Sequence, residues 1–395
     1  MVNLSSIFTY YSTNSLSRDQ LSESGLIKNI HYGDIHKKYG CVVDSTKDIS
    51  TYIKDINYNN RYQICKENDL IFADASEDYE GIGKAIELKN VNNLTIISGL
   101  HTILARDENN NFAPKFKGYL FNTPKVHNQI KVLANGFKVF GISKSIINQL
   151  VIYIPSKSEQ EKIADMLSLL DKKIELQTKK VEVLKLYKKG LCTSIFAQKE
   201  NYDYKLLSDL DIYISDGNYG EMYPNSNELK DNGDIPFIRV NNLKNLRLTT
   251  ENMKYISAKK HQILLSGHLK ENDILITTRG EIGKVAIVDK KFVDANINAQ
   301  IALLRVNNRS LINPYFILEY LNYNNKYIQS FQTGSALKQL PIKNLKKLKI
   351  PELNIDKQNK IGRYFNMYNY KLMLENNKLN KLRELKKGLM QNMFV

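Results

Sequence analysis

The sequence predicts a mixed α/β (α+β) protein with two globular domains separated by two long antiparallel helices that pair as a coiled coil. Three observations support this prediction: an internal repeat at one fixed offset, a heptad spacing of apolar residues in both copies, and short strand-like runs elsewhere. The predicted boundaries are 1–155 for the first domain, 156–200 for the first helix, 201–350 for the second domain and 351–395 for the second helix. This plan is a pseudo-two-fold internal repeat.

The clearest repeat joins two segments that lie 198 residues apart. No gap interrupts the match over about 37 residues, and a chance match would not hold one register for so long. The matching pairs are Gln160-Glu-Lys-Ile163 with Gln358-Asn-Lys-Ile361, Lys188-Lys-Gly-Leu191 with Lys386-Lys-Gly-Leu389, and Ser194-Ile-Phe196 with Asn392-Met-Phe394. Upstream, the looser pairs are 67–71 with 271–275 and 81–84 with 281–284, at offsets between 200 and 204. The two halves therefore share a scaffold and differ in detail.

Both repeated segments predict long helices. Their apolar residues alternate four and three positions apart over about five heptads, which is typical of a coiled-coil seam. Gln177 and Lys188 interrupt the first seam where Glu375 and Lys386 interrupt the second, which favours paired helices over two unrelated amphipathic ones. Each helix would be about 55 Å long. The predicted seam positions are Ile163, Leu167, Leu170, Ile174, Val181, Leu184, Leu191, Ile361, Phe365, Tyr368, Leu372, Leu379, Leu382 and Leu389.

The two domains contain short apolar runs bounded by glycine and asparagine, which predict strands. These runs cover 69–73, 96–104, 274–278, 285–288 and 301–306. One short helix is predicted over 313–322, with Asn313 at its cap and Pro314 at its first position.

The composition favours a polyanionic partner. The formal net charge is +16, of which +3 lies in 160–196 and +6 in 358–395. Neutralisation of phosphates is the general source of nucleic-acid affinity. Three widely spaced cysteines match no disulfide or zinc pattern, and no apolar stretch approaches the ~20 residues that span a bilayer. We therefore expect a cytoplasmic protein without a membrane partner.

No catalytic centre is predicted. Asn313-Pro-Tyr315 is similar to the loop that holds the target adenine in adenine methyltransferases, but one proline is missing and no glycine-rich cofactor turn precedes it. The lysine-bearing turns at 81–84 and 280–284 lack the spacing of a phosphate-binding loop. His261 and His268 have no carboxylate or cysteine cluster beside them in the sequence, so no metal site is predicted.

Polar, glycine-bearing loops remain as candidates for DNA reading. Arginine suits bidentate contact with guanine, and asparagine suits adenine. Glycines let the backbone approach phosphate. For each single residue, a turn or a solvated loop is an equally good interpretation. The predicted DNA-binding residues are Arg279, Lys284, Arg239, Asn241, Asn242, Asn218, Tyr219, Lys338, His31, Tyr32 and Lys84.

Nearly the whole chain resembles the specificity subunits of type I restriction–modification systems. The segment from Ile154 to Leu191 is similar to the family's central helix, and 350–394 is similar to its C-terminal helix. Arg239-Val-Asn-Asn-Leu243 and Arg279-Gly-Glu-Ile-Gly283 are similar to motifs of its target-recognition domains. The two-copy arrangement makes the resemblance specific.

The resemblance implies a non-catalytic subunit with two target-recognition domains, each reading one half-site of double-stranded DNA. The paired helices would dock two methyltransferase (modification) subunits, and restriction (motor/nuclease) subunits would complete the enzyme. S-adenosylmethionine, ATP and Mg²⁺ would be bound by those partners, with no cofactor in this chain. A rod of about 55 Å implies a fixed, unread spacer between half-sites roughly one to one and a half DNA turns apart.

Two other functions remain as alternatives. The first is a coiled-coil adaptor that joins two proteins and never touches DNA, against which the net charge argues. The second is an enzyme with a nuclease centre inside one of the domains, which metal-dependent cleavage by the isolated chain would reveal.

Overall fold

The computed structural model describes residues 2–54, 62–136, 139–197, 202–217, 219–335 and 337–394. The chain divides into two compact units. Unit 1 contains Met1–Thr178 and Lys378–Val395, and unit 2 contains Lys179–Asn377. Each unit therefore combines one mixed α/β domain with a part of both long helices.

Ten α-helices occur in the described residues. They are α1 (Tyr32–Lys37), α2 (Phe116–Leu120), α3 (Pro124–Leu133), α4 (Lys144–Gln149), α5 (Lys157–Phe196), α6 (Ala258–Ile263), α7 (Pro314–Tyr323), α8 (Asn325–Gln329), α9 (Ile342–Leu345) and α10 (Ile355–Asn392). Two of them, α5 and α10, are far longer than the rest and correspond to the repeated segments. None of the described helices combines the length and apolar character that crossing a bilayer requires.

The strands of unit 1 form four sheets. They are β1 (Val2–Asn3), β2 (Thr9–Tyr11), β3 (Leu21–Ser22), β4 (Lys28–Ile30), β5 (Val42–Asp44), β6 (Tyr52–Ile53), β7 (Leu70–Ala73), β8 (Ala75–Ser76), β9 (Ala85–Lys89), β10 (Ile96–Ser98), β11 (Thr102–Arg106), β12 (Phe140–Gly141) and β13 (Val151–Ile152). The larger sheets have the orders β2-β11-β7-β9-β5 and β10-β4-β6-β3, and the pairs β1-β13 and β12-β8 complete the set.

Unit 2 repeats this topology. Its strands are β14 (Tyr204–Leu206), β15 (Ile212–Asp216), β16 (Ile235–Ile238), β17 (Leu243–Lys244), β18 (Arg247–Leu248), β19 (Lys254–Ile256), β20 (Ile274–Thr277), β21 (Val285–Ile287), β22 (Asn296–Ile297), β23 (Ile301–Val306) and β24 (Lys349–Pro351). The order β15-β23-β20-β21 matches β2-β11-β7-β9, and β22-β16-β19 matches β10-β4-β6. In both copies the strand pair β10-β4 or β22-β16 is parallel. The predicted internal repeat and mixed fold class are confirmed.

The repeated turn before β7 shows why the upstream sequence match exists. Asn68 adopts a left-handed conformation (φ 64°), which asparagine tolerates better than most residues. The Asp69 carboxylate then binds the Arg106 guanidinium of β11 through two hydrogen bonds, both 2.7 Å long. The turn before β20 has the same left-handed asparagine and the same bidentate pair, formed by Asn272, Asp273 and Arg305.

The long helices run antiparallel, as their contacts within each unit show. In unit 1, Asp171 near the middle of α5 pairs with Lys386 near the end of α10, at 2.5 Å. In unit 2, Lys180 pairs with Glu375 at 2.5 Å, and the Tyr368 hydroxyl donates to the Leu184 carbonyl oxygen at 3.0 Å. A later residue of α5 thus meets an earlier residue of α10, which is the pairing that opposite directions require.

All fourteen predicted seam positions are buried or half-buried. The polar residues that interrupt the seam are also covered, and each has a partner or contact in its own unit: Lys188 pairs with Glu319, and Lys386 with Asp171. The coil therefore contains specific polar contacts within an apolar seam.

Each domain is attached to its long helix by a repeated contact. The side-chain carbonyl of Gln160 accepts from the Ala113 backbone N–H at 2.7 Å, and that of Gln358 accepts from Asn313 at 3.0 Å. Both glutamines are almost fully buried. The equivalent phenylalanines at the helix ends, Phe394 and Phe196, enter the cores of unit 1 and unit 2 respectively.

The short elements agree with the sequence analysis except at one strand. Asn313 caps α7, because its side chain accepts from the backbone N–H groups of Tyr315 and Phe316 at 2.9 and 3.2 Å. The single strand predicted over 96–104 is wrong: β10 and β11 lie in different sheets, separated by a turn in which His101 has φ 54°. Only three residues, Gly99, Leu100 and His101, separate the two strands, and Leu100 is apolar, so the hydrophobic pattern does not distinguish two short strands from one.

Candidate nucleic-acid interface

In unit 2, three segments that are distant in sequence meet at residues 298–300, immediately after β22. The Asn298 backbone N–H donates to the Ile238 carbonyl at the end of β16, at 2.9 Å. The Thr278 N–H, just after β20, donates to Gln300 at 2.8 Å. The Tyr219 hydroxyl lies 3.0 Å from the Ala299 carbonyl oxygen. We call the surface around this segment, formed by Tyr219, Arg239, Asn241, Arg279 and Gln300, edge 2.

Arg279 is the most available cation of edge 2. It is exposed, and its guanidinium lies 5.3 Å from the centre of the Tyr219 ring. Such cation–π contact orients the guanidinium and leaves its edge nitrogens free to donate. Burial, followed by the hydrogen bond to Asp216, raises the pKa of Tyr219 to about 12, so its hydroxyl stays neutral. The pair offers a flat, polar surface with several donors.

Close backbone packing fixes the Tyr219 segment. A Cβ at Gly217 would lie 2.5 Å from the Asn298 carbonyl oxygen, so only glycine fits there. The neighbouring predicted residue Asn218 lies outside the described residues. Lys338 is exposed in a hairpin where Gln339 bridges both Thr333 and Arg279, so this lysine lies close to edge 2 along the backbone.

The turn after β16 separates the predicted residues Asn241 and Asn242. Asn241 is exposed, whereas Asn242 is fully buried. The Asn242 amide accepts from the Arg239 N–H at 2.9 Å and donates to the Thr249 and Glu251 carbonyls at 3.2 and 3.1 Å. Arg239 is half-buried and donates to the Asn252 carbonyl at 2.6 Å. Asn242 thus supports the turn, and Asn241 and Arg239 border the surface.

Lys284 lies apart from edge 2, in a cavity of about 610 Å³ that faces the long helices. Its ammonium pairs with Glu281 in the same turn. Three further lysines line this cavity, namely Lys185, Lys188 and Lys244. The structure therefore does not bring Lys284 and Arg279 together, although the sequence places them five residues apart.

Unit 1 has an equivalent surface around residues 98–101, between β10 and β11. The Gly99 N–H donates to the Ile30 carbonyl at the end of β4, at 2.8 Å, as Asn298 does to Ile238. The Asp74 N–H, just after β7, donates to the His101 carbonyl at 3.1 Å. We call the surface formed by Tyr32, His36, Asp74 and His101 edge 1, and the buried His31 ring contacts Tyr32 of this edge.

Edge 1 carries rings and a carboxylate where edge 2 carries guanidiniums and amides. The Tyr32 ring lies 4.6, 6.1 and 5.3 Å from the imidazoles of His31, His36 and His101. His101 is half exposed and its Nδ1 lies 3.2 Å from an Asp74 carboxylate oxygen. Burial raises the pKa of Asp74, and His101 opposes this effect. The surface offers stacking faces, ring nitrogens and one acceptor group.

Two residues of unit 1 that were predicted to bind DNA, His31 and Lys84, make contacts that stabilise the fold. His31 is buried and caps α1, because its Nδ1 accepts from the Gly33 N–H at 3.1 Å. Burial, and then the neighbouring Arg18 charge, lowers the pKa of His31. The Lys84 ammonium donates to the Tyr39 and His36 carbonyls at 2.9 and 3.3 Å, and burial lowers its pKa. Lys84 therefore ties the β7–β9 turn to the end of α1.

Four residues of the two edges were not predicted from the sequence: His36, Asp74 and His101 in unit 1, and Gln300 in unit 2. The repeat holds a signal for Asp74, which follows β7 as Thr278 follows the equivalent strand β20, at an offset of 204 residues.

The expectation that no carboxylate accompanies His261 and His268 is wrong. The fold brings Asp294 to these histidines, and His261 Nε2 lies 3.4 Å from an Asp294 carboxylate oxygen. One ligand-capable atom from each of the three residues lies within 4.8 Å of the others. The carboxylate comes from a distant turn before β22, which a search for local spacing does not detect.

Two known proteins from one organism are similar to this chain in sequence. The chain is similar to the putative type I restriction enzyme MjaX specificity subunit of Methanocaldococcus jannaschii, with 24% identity over 379 residues, 88% of this chain and 83% of that protein. It is also similar to the MjaIX specificity subunit of the same organism, with 26% identity over 274 residues, 64% of this chain and 61% of that protein.

Two solved structures share the fold. The S subunit of a type I restriction–modification system from M. genitalium has a TM-score of 0.64 at 16% identity, covering 100% of this chain and 95% of that one. A chain from a study of complex assembly and conformational transition of the type I R-M system has a TM-score of 0.54 at 14% identity, covering 100% and 96%.

The family described as type I restriction modification DNA specificity domain matches residues 1–186 and again 217–384. The first match covers the α/β domain of unit 1 and most of α5, and the second covers the α/β domain of unit 2 from residue 217 onward and most of α10. This chain therefore belongs to the family of type I restriction–modification specificity subunits, which recognise DNA sequence.

Proposed function

We propose that the chain reads an asymmetric, bipartite DNA site, one half-site with edge 1 and the other with edge 2. One observation carries this proposal: the two units have the same strand topology but different side chains at the equivalent edge. Equal scaffolds present their edges in the same way, so a difference in side chains becomes a difference in recognised bases.

Edge 2 has the chemistry for reading purines. The exposed Arg279 guanidinium suits the O6 and N7 atoms of guanine, and exposed amides such as Asn241 suit adenine. A bidentate contact of this kind discriminates against a wrong base by about 1–3 kcal/mol. Edge 1 combines an acceptor, Asp74, with the half-exposed His101, a combination that suits the amino groups of cytosine or adenine.

The long helices provide the surface for two partner subunits. In unit 1, exposed apolar side chains occur at Met166, Leu169 and Leu176 of α5. In unit 2, Tyr364, Met367 and Leu374 of α10 are exposed at positions 198 residues later. Exposed apolar patches of this kind mark protein contacts. Because the same stripe occurs once in each unit, we infer two copies of one partner, the methyltransferase subunit.

In this proposal the chain itself performs no chemistry. The methyltransferase subunits would bind S-adenosylmethionine and methylate adenine, while restriction subunits would bind ATP and Mg²⁺, translocate DNA and cleave it. The complex would act in the cytoplasm. The chain would determine which DNA sequence is bound and how many base pairs separate the two half-sites. That number is fixed if the length of the two helices does not change.

The decisive experiment maps methylated adenine across the genome of cells that express this chain with its methyltransferase partner. We expect a single motif of two unlike short blocks around a fixed unread gap. Arg279→Ala should relax one block, and Asp74→Ala should relax the other. The control Lys326→Ala removes an exposed cation of α8 and should leave both blocks intact.

A palindromic or ungapped motif would contradict the proposal, and so would a relaxation of both blocks by Arg279→Ala. If the wild-type chain directs no methylation but still assembles with its partner in size-exclusion chromatography, the adaptor alternative is favoured. In that alternative the helices bind proteins and the two edges do not recognise DNA.

A further inference from the structure

A histidine–carboxylate cluster in unit 2 lies beside edge 2 and is not explained by DNA reading. His261 is on α6, His268 lies in the loop that follows, and Asp294 lies in the turn before β22. The His261 and His268 rings are 4.5 Å apart, centre to centre. The side chains of His261 and Asp294 are 12% and 68% exposed, so the cluster has a buried side and an open side.

One ring nitrogen of each histidine is hydrogen-bonded to an oxygen outside the cluster, which leaves the other ring nitrogen to bind a cation. His261 Nδ1 lies 2.5 Å from the Asn296 side-chain oxygen, and in the tautomer that donates Nδ1–H to this oxygen, Nε2 presents a lone pair toward Asp294. His268 Nε2 lies 2.8 Å from the Leu264 carbonyl oxygen, which leaves the lone pair on Nδ1. Metal-binding histidines almost always donate their second ring nitrogen to an oxygen in this way.

The distances fit a small transition-metal ion. Zinc–ligand bonds of about 2.0–2.1 Å imply ligand atoms about 3.3 Å apart in a tetrahedron. The His261 Nε2 to Asp294 oxygen distance is 3.4 Å, and the third ligand atom lies within 4.8 Å of both. The remaining gap to the ideal separation is about 1.5 Å at most, which small side-chain rotations can close. Two imidazoles and one carboxylate suit Zn²⁺ better than the oxygen-seeking Mg²⁺ or Ca²⁺.

We propose that His261, His268 and Asp294 bind one divalent transition-metal ion, with Zn²⁺ as the representative, and that its fourth position opens to solvent. The metal joins α6, the loop after it and the turn before β22. The same loop holds edge 2, because the Ser266 hydroxyl donates to the Asp216 carbonyl at 2.9 Å, and Asp216 binds the Tyr219 hydroxyl at 2.8 Å. Metal binding does not depend on DNA recognition, so the two can fail separately.

The test is isothermal titration of ZnCl₂ into the full-length chain after dialysis against a chelator, without DNA or partners. We expect one Zn²⁺ per chain and a higher melting temperature with metal. Asp294→Asn should weaken binding about tenfold or more, and His268→Gln should do the same. The Asn replacement is mild, because Asp294 has φ 69° and asparagine tolerates this conformation.

The matched control is Asp231→Asn, which removes an exposed carboxylate of the same unit that pairs with Lys254. It should leave the zinc affinity unchanged. Replacement by Co²⁺ should give visible absorption bands that disappear in Asp294→Asn. Binding that is not stoichiometric, or zinc affinity that is equal in the wild type and both ligand variants, would overturn the proposal.

Discussion

Two equivalent lysines of the coiled coil, Lys188 and Lys386, each pair with a carboxylate, but the two carboxylates come from different elements. In unit 2, the Lys188 ammonium lies 2.9 Å from the buried Glu319 carboxylate on α7. In unit 1, Lys386 lies 2.5 Å from Asp171 on α5, which also accepts from the Tyr119 hydroxyl at 2.9 Å. The acid therefore comes from the domain in one unit and from the helix in the other.

Removing the acid in unit 2 should destabilise it strongly. Glu319→Gln leaves the Lys188 ammonium, whose side chain is only 12% exposed, beside a neutral amide. Breaking a buried pair from one side costs about 3–5 kcal/mol. We expect a loss of at least about 3 kcal/mol in the free energy of unfolding, measured with urea.

The comparison for this variant is Glu352→Gln, since Glu352 pairs with Lys205 at 2.6 Å but both side chains are 49% exposed. A solvated pair is worth about 1 kcal/mol or less. If the two variants lose similar stability, then burial does not set the strength of the Lys188 pair.

Individual site residues were predictable only in part. Asn241 and Asn242 are adjacent and chemically identical, yet one is exposed and the other holds its own turn. The sequence does not distinguish them, because the difference depends on which side of the short turn after β16 faces the core. His101 and Asp74 are brought together by strand pairing, which local patterns do not encode.

At the scale of elements, α1 depends on an unusual cap. Its first N–H groups are served by His31, whose Nδ1 accepts from Gly33 only while that nitrogen is unprotonated. Burial, and then the Arg18 charge, lowers the pKa of this imidazole. The His31 imidazole of the folded chain therefore stays neutral at pH values at which the same side chain is already protonated in the unfolded chain.

The stability of unit 1 should consequently depend on pH. The contribution is fully present above about pH 6.5, the ordinary histidine pKa, and is lost as the pH falls through that value toward the folded-state pKa. His31→Asn keeps a capping oxygen and removes the titration. We expect a shallower decline in the free energy of unfolding between about pH 7 and 5 in this variant.

His127 provides the internal reference, because burial, and then Lys131, lowers its pKa too. His127→Asn, added to His31→Asn, should further reduce the dependence of the free energy of unfolding on pH. Identical slopes in the wild type and His31→Asn would show that the cap does not titrate in this range.

The long helices were the most predictable elements. A 4-3 spacing repeats across the whole segment, so each of the fourteen seam positions is specified by many neighbours, and none is exposed. The strand break at Gly99–His101 was not predictable in the same way, since it depends on a bond to Ile30 from another strand. A pattern that repeats over many neighbouring residues can be predicted from the sequence, whereas a single contact between distant residues cannot.

At the scale of the whole molecule, the two exposed apolar stripes predict the stoichiometry of the assembly. They are Met166, Leu169 and Leu176 on α5, and Tyr364, Met367 and Leu374 on α10. Leu169→Glu with Leu176→Glu should remove one methyltransferase copy and leave the other, because each stripe is independent. Met367→Glu with Leu374→Glu should do the same for the second copy. All four substitutions together should abolish binding, as measured by light scattering of the purified complex.

Val132→Glu introduces the same charge at an exposed apolar position of α3 and should leave two copies bound. If either double variant lost both copies, then the partners would bind cooperatively or to a different surface. If neither lost a copy, then the stripes would not be the docking surface.

The composition of unit 1 has a consequence for biosynthesis. Its core includes Phe394, whose ring lies 5.4 Å from that of Phe116, so the unit needs residues from two distant parts of the chain. Unit 2 is a single continuous stretch, Lys179–Asn377. A ribosome that starts at the N-terminus therefore releases every residue of the second unit before the last residues of the first. The half that is synthesised first stays incomplete until residues Lys378–Val395 have been made, and it is the half that most needs protection during synthesis.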